Sequence, residues 1–403
     1  MTEKIRRRAS SKGRTLDLIR SSGPISRVEL AELTGLTQAT ISTVVRELLT
    51  DGVISETGRG ESTGGKPRMR LEINPASRLG IGVHIGQDYI TYIVADLAGT
   101  VVGRKRVDGP GDDSPVSVVA RMTDDIESLI VGLDLDRHSL VGMGLAMPGP
   151  IDRIAGTVRG VPSLLGWTEF PIRRALATTT GLQVELDNDA TAAAIGEYWL
   201  GATVGYGSYA SVYMGSGIGS GIVVDGTIYH GLSANVGEIG HVTVDARGPL
   251  CPCGNFGCLE LFAGPRAIMN KATDAVARGE LDIPLTGKTS VDFAALGTAA
   301  ARGDATASAL IQESADYMAS AIVSMVNLFD LPLIVLAGNA FSTTGSIYVR
   351  TITRVLAERA MVRDIHPIEV RVSVNGNDAA ALGAATLVLQ ERLAPRSLRS
   401  VAP

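Results

Sequence analysis

The sequence predicts an α/β protein made of a small helical head with a two-stranded wing and a large two-lobed body. Three observations carry this prediction. Short amphipathic segments broken at glycines fill residues 14–52, a basic hairpin pattern follows, and beyond Pro75 alternating Val/Ile runs interleave with helical stretches. With 403 residues, the chain has room for two or three domains. Apolar residues make up 45% of it, enough for substantial cores and too many for a disordered regulator. No apolar run is long enough to span a bilayer, and none follows the basic start before Pro24. Neither membrane insertion nor a secretory leader is therefore expected, and the expected location is the cytoplasm.

The net charge of -5 excludes a uniformly basic nucleic-acid binder but conceals an asymmetry. Residues 1–78 carry 14 basic and 9 acidic side chains, whereas the rest carries 23 basic and 33 acidic ones. A basic module ahead of an acidic body suits a DNA reader tethered to a sensor, because phosphate attraction is needed only where the duplex docks. Arg6, Arg7 and Arg8 alone would equally suit a solubilising tail.

The head reads as three helices, RTLDLIRSSG, SRVELAELTG and TQATISTVVRELLTDG. Ser26 with Glu29 forms a capping box for the second, and Thr37 caps the third. Ile41, Val44, Val45, Leu48 and Leu49 fall on one face of that third helix. Its other face presents Gln38, Thr40, Ser42, Thr43 and Arg46, which can meet base edges or phosphates in a major groove. Gly35 supplies the turn between the second and third helices. After Gly52 the period changes to that of a hairpin, with Arg59, Lys66, Arg68 and Arg70 suited to phosphate or minor-groove contact. An ordinary protein-binding three-helix module remains the alternative. Helix order, turn glycine, polar face and basic hairpin together favour a winged helix-turn-helix on double-stranded operator DNA.

In the body, LGIGVHIGQDYITYIVADLAG reads as two strands joined by a tight turn. Further strand patterns lie in SLVGMGLAMPG, GLQVELDN, YASVYMGSGIGSGIVVDG, LPLIVLAGN and IEVRVSV, and a long apolar helix is expected over about 306–328. Glycines 215, 217, 219 and 221 could cradle a phosphate or simply turn a hairpin.

All three cysteines cluster in GHVTVDARGPLCPCGNFGCLE. His241, Cys251, Cys253 and Cys258 make a donor set suited to tetrahedral Zn2+, one structural ion per chain, with buried unliganded thiols as the alternative. Gly254 and Gly257 permit the tight loop that such spacing demands.

The segments GEIGH (237–241), CPCGNFGCLE (251–260) and LDNDATAAAIGE (186–197), preceded by the winged head, resemble the ROK family of repressors and sugar kinases over almost the whole chain. The resemblance implies a winged helix-turn-helix followed by an actin-like, ribonuclease H-like two-lobed ATPase body. It divides the chain into a head (1–75), a first lobe (76–190), a second lobe with the metal knot (191–375) and a C-terminal helix returning to the first lobe (376–403). It also implies that Asn188, Asp189, Glu238, His241 and Glu260 bind sugar, with Asp189 at the position of the kinases' general base. Carboxylates and an amide are chemically suited to a set of hydroxyls. Asp189 could instead merely cap a helix, and Glu238 and His241, three residues apart, could share a helical face. SLLGW (163–167) is expected to border the pocket, with Ser163 standing where many family members have Asn and Trp167 alternatively filling a core.

VHIGQD (83–88) departs from the kinases' Asp-x-Gly-Gly-Thr phosphate loop: His84 replaces the Asp, Gln87 the second Gly and Asp88 the Thr. MGSGIGSG and the AGN turn (337–339) still resemble the remaining nucleotide regions. Because the lost Asp and the added Asp88 disfavour metal and phosphate, no catalytic residue is expected. The expected function is a DNA-binding transcriptional regulator, a repressor of carbohydrate uptake or catabolism genes. Its effector would be a monosaccharide or sugar derivative, xylose or glucose by family resemblance, and it would act as a homodimer or homotetramer. The alternatives are a sugar kinase, a bifunctional regulator, or a regulator controlled by a protein partner.

Overall fold

A computed structural model describes residues 3–59, 69–160, 162–200, 203 and 205–393. The head comprises α1 (Glu3–Ser22), β1 (Ile25–Ser26), α2 (Arg27–Thr34), α3 (Gln38–Thr50), β2 (Ile54–Arg59) and β3 (Met69–Ile73). Its caps are those expected. The Ser26 hydroxyl accepts from the Glu29 amide while Glu29 accepts from the Ser26 amide, and Thr37 accepts from the Thr40 amide. Gly35 turns the chain at φ +67°. Ile41, Val44, Val45 and Leu48 are buried; Leu49 packs at the edge of the same core. Two features depart from expectation. The first helix starts at Glu3 rather than near Arg14, since its early turns are polar and hydrophobic periodicity does not report them. The two-residue strand β1 joins the wing, giving an antiparallel sheet in the order β1-β3-β2.

The body contains β4 (Leu79–Ile85), β5 (Tyr89–Asp96), β6 (Val101–Asp108), α4 (Pro115–Gly132), β7 (Leu140–Met147), β8 (Ile151–Asp152), β9 (Thr157–Val158), α5 (Ile172–Thr180), β10 (Val184–Asn188) and α6 (Asp189–Trp199). Next come β11 (Tyr209–Met214), β12 (Ile218–Val224), β13 (Thr227–Ile228), α7 (Glu260–Ala263), α8 (Pro265–Ala277), α9 (Thr289–Ala301) and α10 (Ala305–Phe329). The chain then forms β14 (Leu333–Ala337), α11 (Phe341–Arg359), β15 (Glu369–Val372) and α12 (Ala379–Leu393).

Two five-stranded sheets, β10-β7-β4-β5-β6 and β13-β12-β11-β14-β15, share one plan. In each, a three-stranded antiparallel meander pairs through its first strand with two later parallel strands. The strand β6 was not foreseen: its VVGRKRVD sequence is a polar, half-exposed edge strand without a buried run. Each sheet has its own apolar core, one running through α4 and α5, the other through α8 to α11. The C-terminal helix α12 lies against β4 and β7 of the first sheet and against α6. Gly82 and Gly144 make this approach feasible, because a Cβ on either would collide with the Ala381 or Ala384 carbonyl oxygen. The strand β10 then delivers the chain directly into α6, at the junction between the two sheets.

Candidate functional site

Asn188 is the N-cap of α6, with its side-chain oxygen accepting from the Ala190 amide at 2.8 Å and the Thr191 amide at 3.4 Å. Capping thus belongs to Asn188, and Asp189 is the first helical residue, its Oδ1 accepting from the Ala190 amide at 2.8 Å. Opposite them, Gly237 (φ +92°) lets the chain turn against the Ser220 carbonyl, where a Cβ would collide, and delivers Glu238 and His241. Glu238 precedes and His241 closes a 3-10 turn over Ile239–His241, so the two do not share an α-helical face. Glu260 opens α7, and its Oε2 accepts from the Ile218 amide at 3.1 Å.

All five expected sugar contacts line one cavity of about 460 Å³, together with Gln87, Ser216, Gly217, Gly219 and Arg266. Arg266, exposed near the start of α8, was not foreseen, since no pattern in the sequence marks it. Glycines 217 and 219 line this cavity, the first in the β11–β12 turn and the second in β12, and a Cβ on Gly217 would press on Glu260. Burial, reinforced by the Asp189 and Glu260 carboxylates, pushes the Glu238 carboxyl up to about 7. Near neutrality it can therefore donate as well as accept, which suits hydroxyl recognition.

The donor atoms of His241, Cys251, Cys253 and Cys258 all lie within 4.8 Å of one another. His241 Nδ1 is 3.7 Å from Cys251 Sγ, and Cys253 Sγ is 3.7 Å from Cys258 Sγ. A tetrahedral ion held by bonds of roughly 2.3 Å requires edges of about 3.8 Å, so the cluster is compatible with a structural metal site. His241, Cys251 and Cys253 also line the cavity, placing the knot in its wall.

A second cavity of about 420 Å³ adjoins the first and contains the divergent loop, His84 to Asp88. His84 Nε2 lies 3.6 Å from Asp189 Oδ2, both side chains largely buried. Asp88 accepts from the Ser290 amide at 2.9 Å, in the first turn of α9. Lys288, just before α9, pairs with Asp108 at 2.7 Å and lies 4.9 Å from the Tyr89 ring centre. The chain thus places its own carboxylate at a helix N-terminus facing this cavity, the position that would otherwise favour an incoming anion.

In the head, Gln38, Thr43 and Arg46 are exposed on α3, with Thr40 and Ser42 half-buried beside them. Thr40 bonds Thr37 through its hydroxyl, and Thr43 donates to the Ala39 carbonyl at 3.0 Å. Arg70 donates to the Pro24 carbonyl at 2.6 Å, which anchors the wing to the segment before β1. Lys66, Arg68 and the Arg59 side chain lie outside the described residues, as does the Ser163 side chain. Trp167 is buried in the first-lobe core.

A model of the ROK family matches residues 80–391, and one described as winged helix-turn-helix DNA-binding matches residues 10–55. The chain belongs to the ROK family. Its ROK body and head are similar to those of the xylose repressor of Caldicellulosiruptor bescii, 29% identical over 92% of this chain and 92% of that relative. The crystal structure of a ROK family transcriptional regulator, a homolog of the E. coli MLC protein, superposes with a TM-score of 0.78 and 27% identity, covering 97% of this chain and 98% of that one. A ROK family glucokinase from Streptomyces griseus, solved with glucose and AMPPNP, matches at a TM-score of 0.65 and 27% identity. It covers 98% of its own length but 77% of this chain. The body thus has the actin-like ROK fold that was expected. Among the described residues, no helix is long and apolar enough to cross a membrane.

Proposed function

We propose that this protein is a cytoplasmic transcriptional regulator, a repressor of carbohydrate uptake or catabolism genes whose grip on operator DNA is set by a sugar. The observation that carries the reading is the coexistence of a polar α3 face on a winged head with a cavity lined by Asn188, Asp189, Glu238, His241 and Glu260. Relatives named as a xylose repressor and a ROK transcriptional regulator, matching across head and body alike, support it. Xylose or glucose is the first effector to test.

Phosphoryl transfer is disfavoured by the loop at 83–88. His84, in place of the kinases' loop Asp, stands 3.6 Å from Asp189, and Asp88 puts negative charge at the α9 terminus where a phosphate would approach. The DNA contacts fall to Gln38, Thr40, Ser42, Thr43 and Arg46, with Arg59, Lys66, Arg68 and Arg70 on the wing. One Zn2+ per chain, held by His241, Cys251, Cys253 and Cys258, would brace the cavity wall and supply no reactive position. Paired heads on paired half-sites call for a homodimer, or a tetramer built from it. The same reading divides the chain at 75, 190 and 375, supported by the separate cores of the two sheets.

Calorimetry with xylose, glucose, N-acetylglucosamine and their phosphates tests effector binding, and selection from a random duplex pool at controlled salt tests operator preference. Heat with at least one sugar, a selected sequence and no ATP turnover are expected. Sugar-dependent ATP consumption without sequence preference would favour the kinase alternative. A selected operator with no sugar response would favour control by a protein partner.

A further inference from the structure

The inference rests on that reading and concerns how occupancy of the cavity reaches the DNA head. α6 begins in the cavity wall and ends at the head. At its start, Asn188 both caps the helix and donates to the Gly149 carbonyl at 3.4 Å, so a ligand that engages this amide acts directly on the first turn. The eleven residues of Asp189–Trp199 span about 16 Å at the α-helical rise.

Between its ends the helix is gripped on both sides. A Cβ on Gly383 of α12 would collide with the Ala192 carbonyl oxygen, and one on Gly221 of β12 would come within 2.6 Å of the Ala190 carbonyl oxygen. Glu197, 1% exposed, accepts from Ser373 and from Asn375 Nδ2, tying the helix to the turn after β15. A helix packed at backbone distance has no side-chain slack to absorb a displacement, so it moves as one body.

At the far end Trp199 is buried in the same apolar cluster as Leu16 and Ile19 of α1, Leu97 and Leu389. Arg20 of α1 donates to the Trp199 carbonyl, and its guanidinium carbon stands 4.4 Å from the Trp199 ring centre and 5.7 Å from that of Tyr198. One cation from the head therefore satisfies a carbonyl at the negative end of α6 and covers its terminal aromatic rings. The Trp199 indole N–H is buried without an acceptor among the described residues. The Arg78 bond to the Asp51 carbonyl at 3.1 Å and the Leu97 amide bond to Pro75 at 3.2 Å also join head and body, but neither segment lines the cavity.

We propose that α6 is the element that reports cavity occupancy to the DNA head, and that Arg20 and Trp199 are the positioning residues through which it sets head orientation. Sugar binding at Asn188 and Asp189 biases the helix position, and the Arg20 clamp converts that bias into a change in operator affinity.

Two measurements on the full-length protein test this. Trp167→Phe leaves Trp199 as the sole tryptophan of the two in the chain. Its emission should change on titration with whichever of xylose, glucose or N-acetylglucosamine gives calorimetric heat, with the same midpoint. In Arg20→Ala, sugar affinity should stay within about twofold of wild type while the sugar-induced change in operator affinity falls by about tenfold. Arg20→Lys, which retains the cation, should restore part of that coupling, as a merely structural loss would not. Calorimetric heat with silent Trp199 emission, or undiminished coupling in Arg20→Ala, overturns the inference and leaves the functional reading standing. Absence of heat with every sugar overturns both. If Arg20→Ala no longer binds operator at all, the emission titration alone decides.

Discussion

Asp189 lines the cavity at the start of α6, with His84 Nε2 3.6 Å from its carboxylate. The imidazole stands beside Oδ2, while Oδ1 accepts from the Ala190 amide. Asp189→Asn is expected to weaken sugar binding by about tenfold or more, the scale of a charged hydrogen bond, with operator affinity in the absence of sugar unchanged; calorimetry and a mobility-shift titration check it. Glu197 gives a pH prediction. Burial holds its carboxyl above the ordinary 4.5, against the opposing pull of Ser373, Asn375 and Arg371. The native state thus holds this proton more tightly than the unfolded chain does. The resulting stability is complete below 4.5 and is lost as pH rises through the raised native value. Glu197→Gln abolishes that slope, so the melting temperature of the variant relative to wild type should climb between about pH 4 and pH 8 in scanning calorimetry. Neither the His84 nor the Glu197 pairing was legible in the sequence. The partners lie 105 and 176 positions away, and no local pattern encodes such a distance.

The elements divide by how much of their information is local. In α3, cap, turn glycine and one apolar stripe lie within sixteen residues, and the structure reproduces them. Arg46→Ala should weaken binding to all duplexes and lower the slope of log affinity against log salt by about 1, whereas Thr43→Ala should relax preference at one base position, as read by repeating the selection. The knot at 241–258 was equally legible, since four donors in 18 residues leave few alternatives. Chelation, or Cys258→Ala, should release one metal ion per chain by elemental analysis. Because His241, Cys251 and Cys253 line the cavity, sugar affinity should fall with it. β6 escaped notice for the opposite reason: its exposed edge carries no hydrophobic signal, although it brings Arg104 and Arg106 to Asp378 ahead of α12.

Across the molecule, the two sheets repeat one strand order and meet along α6 and α12, with the cavity at the seam. Small residues form that seam: Gly82, Gly144, Gly196 and Gly383 let helices lie against backbone rather than side chains. The second seam, between head and body, rests on Arg20, Trp199, Leu97 and Leu389. Two heads reading two half-sites should give two chains per duplex in sedimentation, and changing the spacing between half-sites by half a helical turn should abolish tight binding.

The sequence by itself determined a basic head, an acidic body and a four-donor cluster of one histidine and three cysteines. Each of these is written in neighbouring residues, where spacing and charge carry the signal. Only the tertiary structure decided that Asn188, Glu238 and Glu260 share one cavity wall with the knot, that Asp88 occupies the α9 terminus, and that the helix leaving the cavity ends beneath Arg20. Those juxtapositions depend on how two sheets and a head pack, and packing is set by complementary surfaces far apart along the chain.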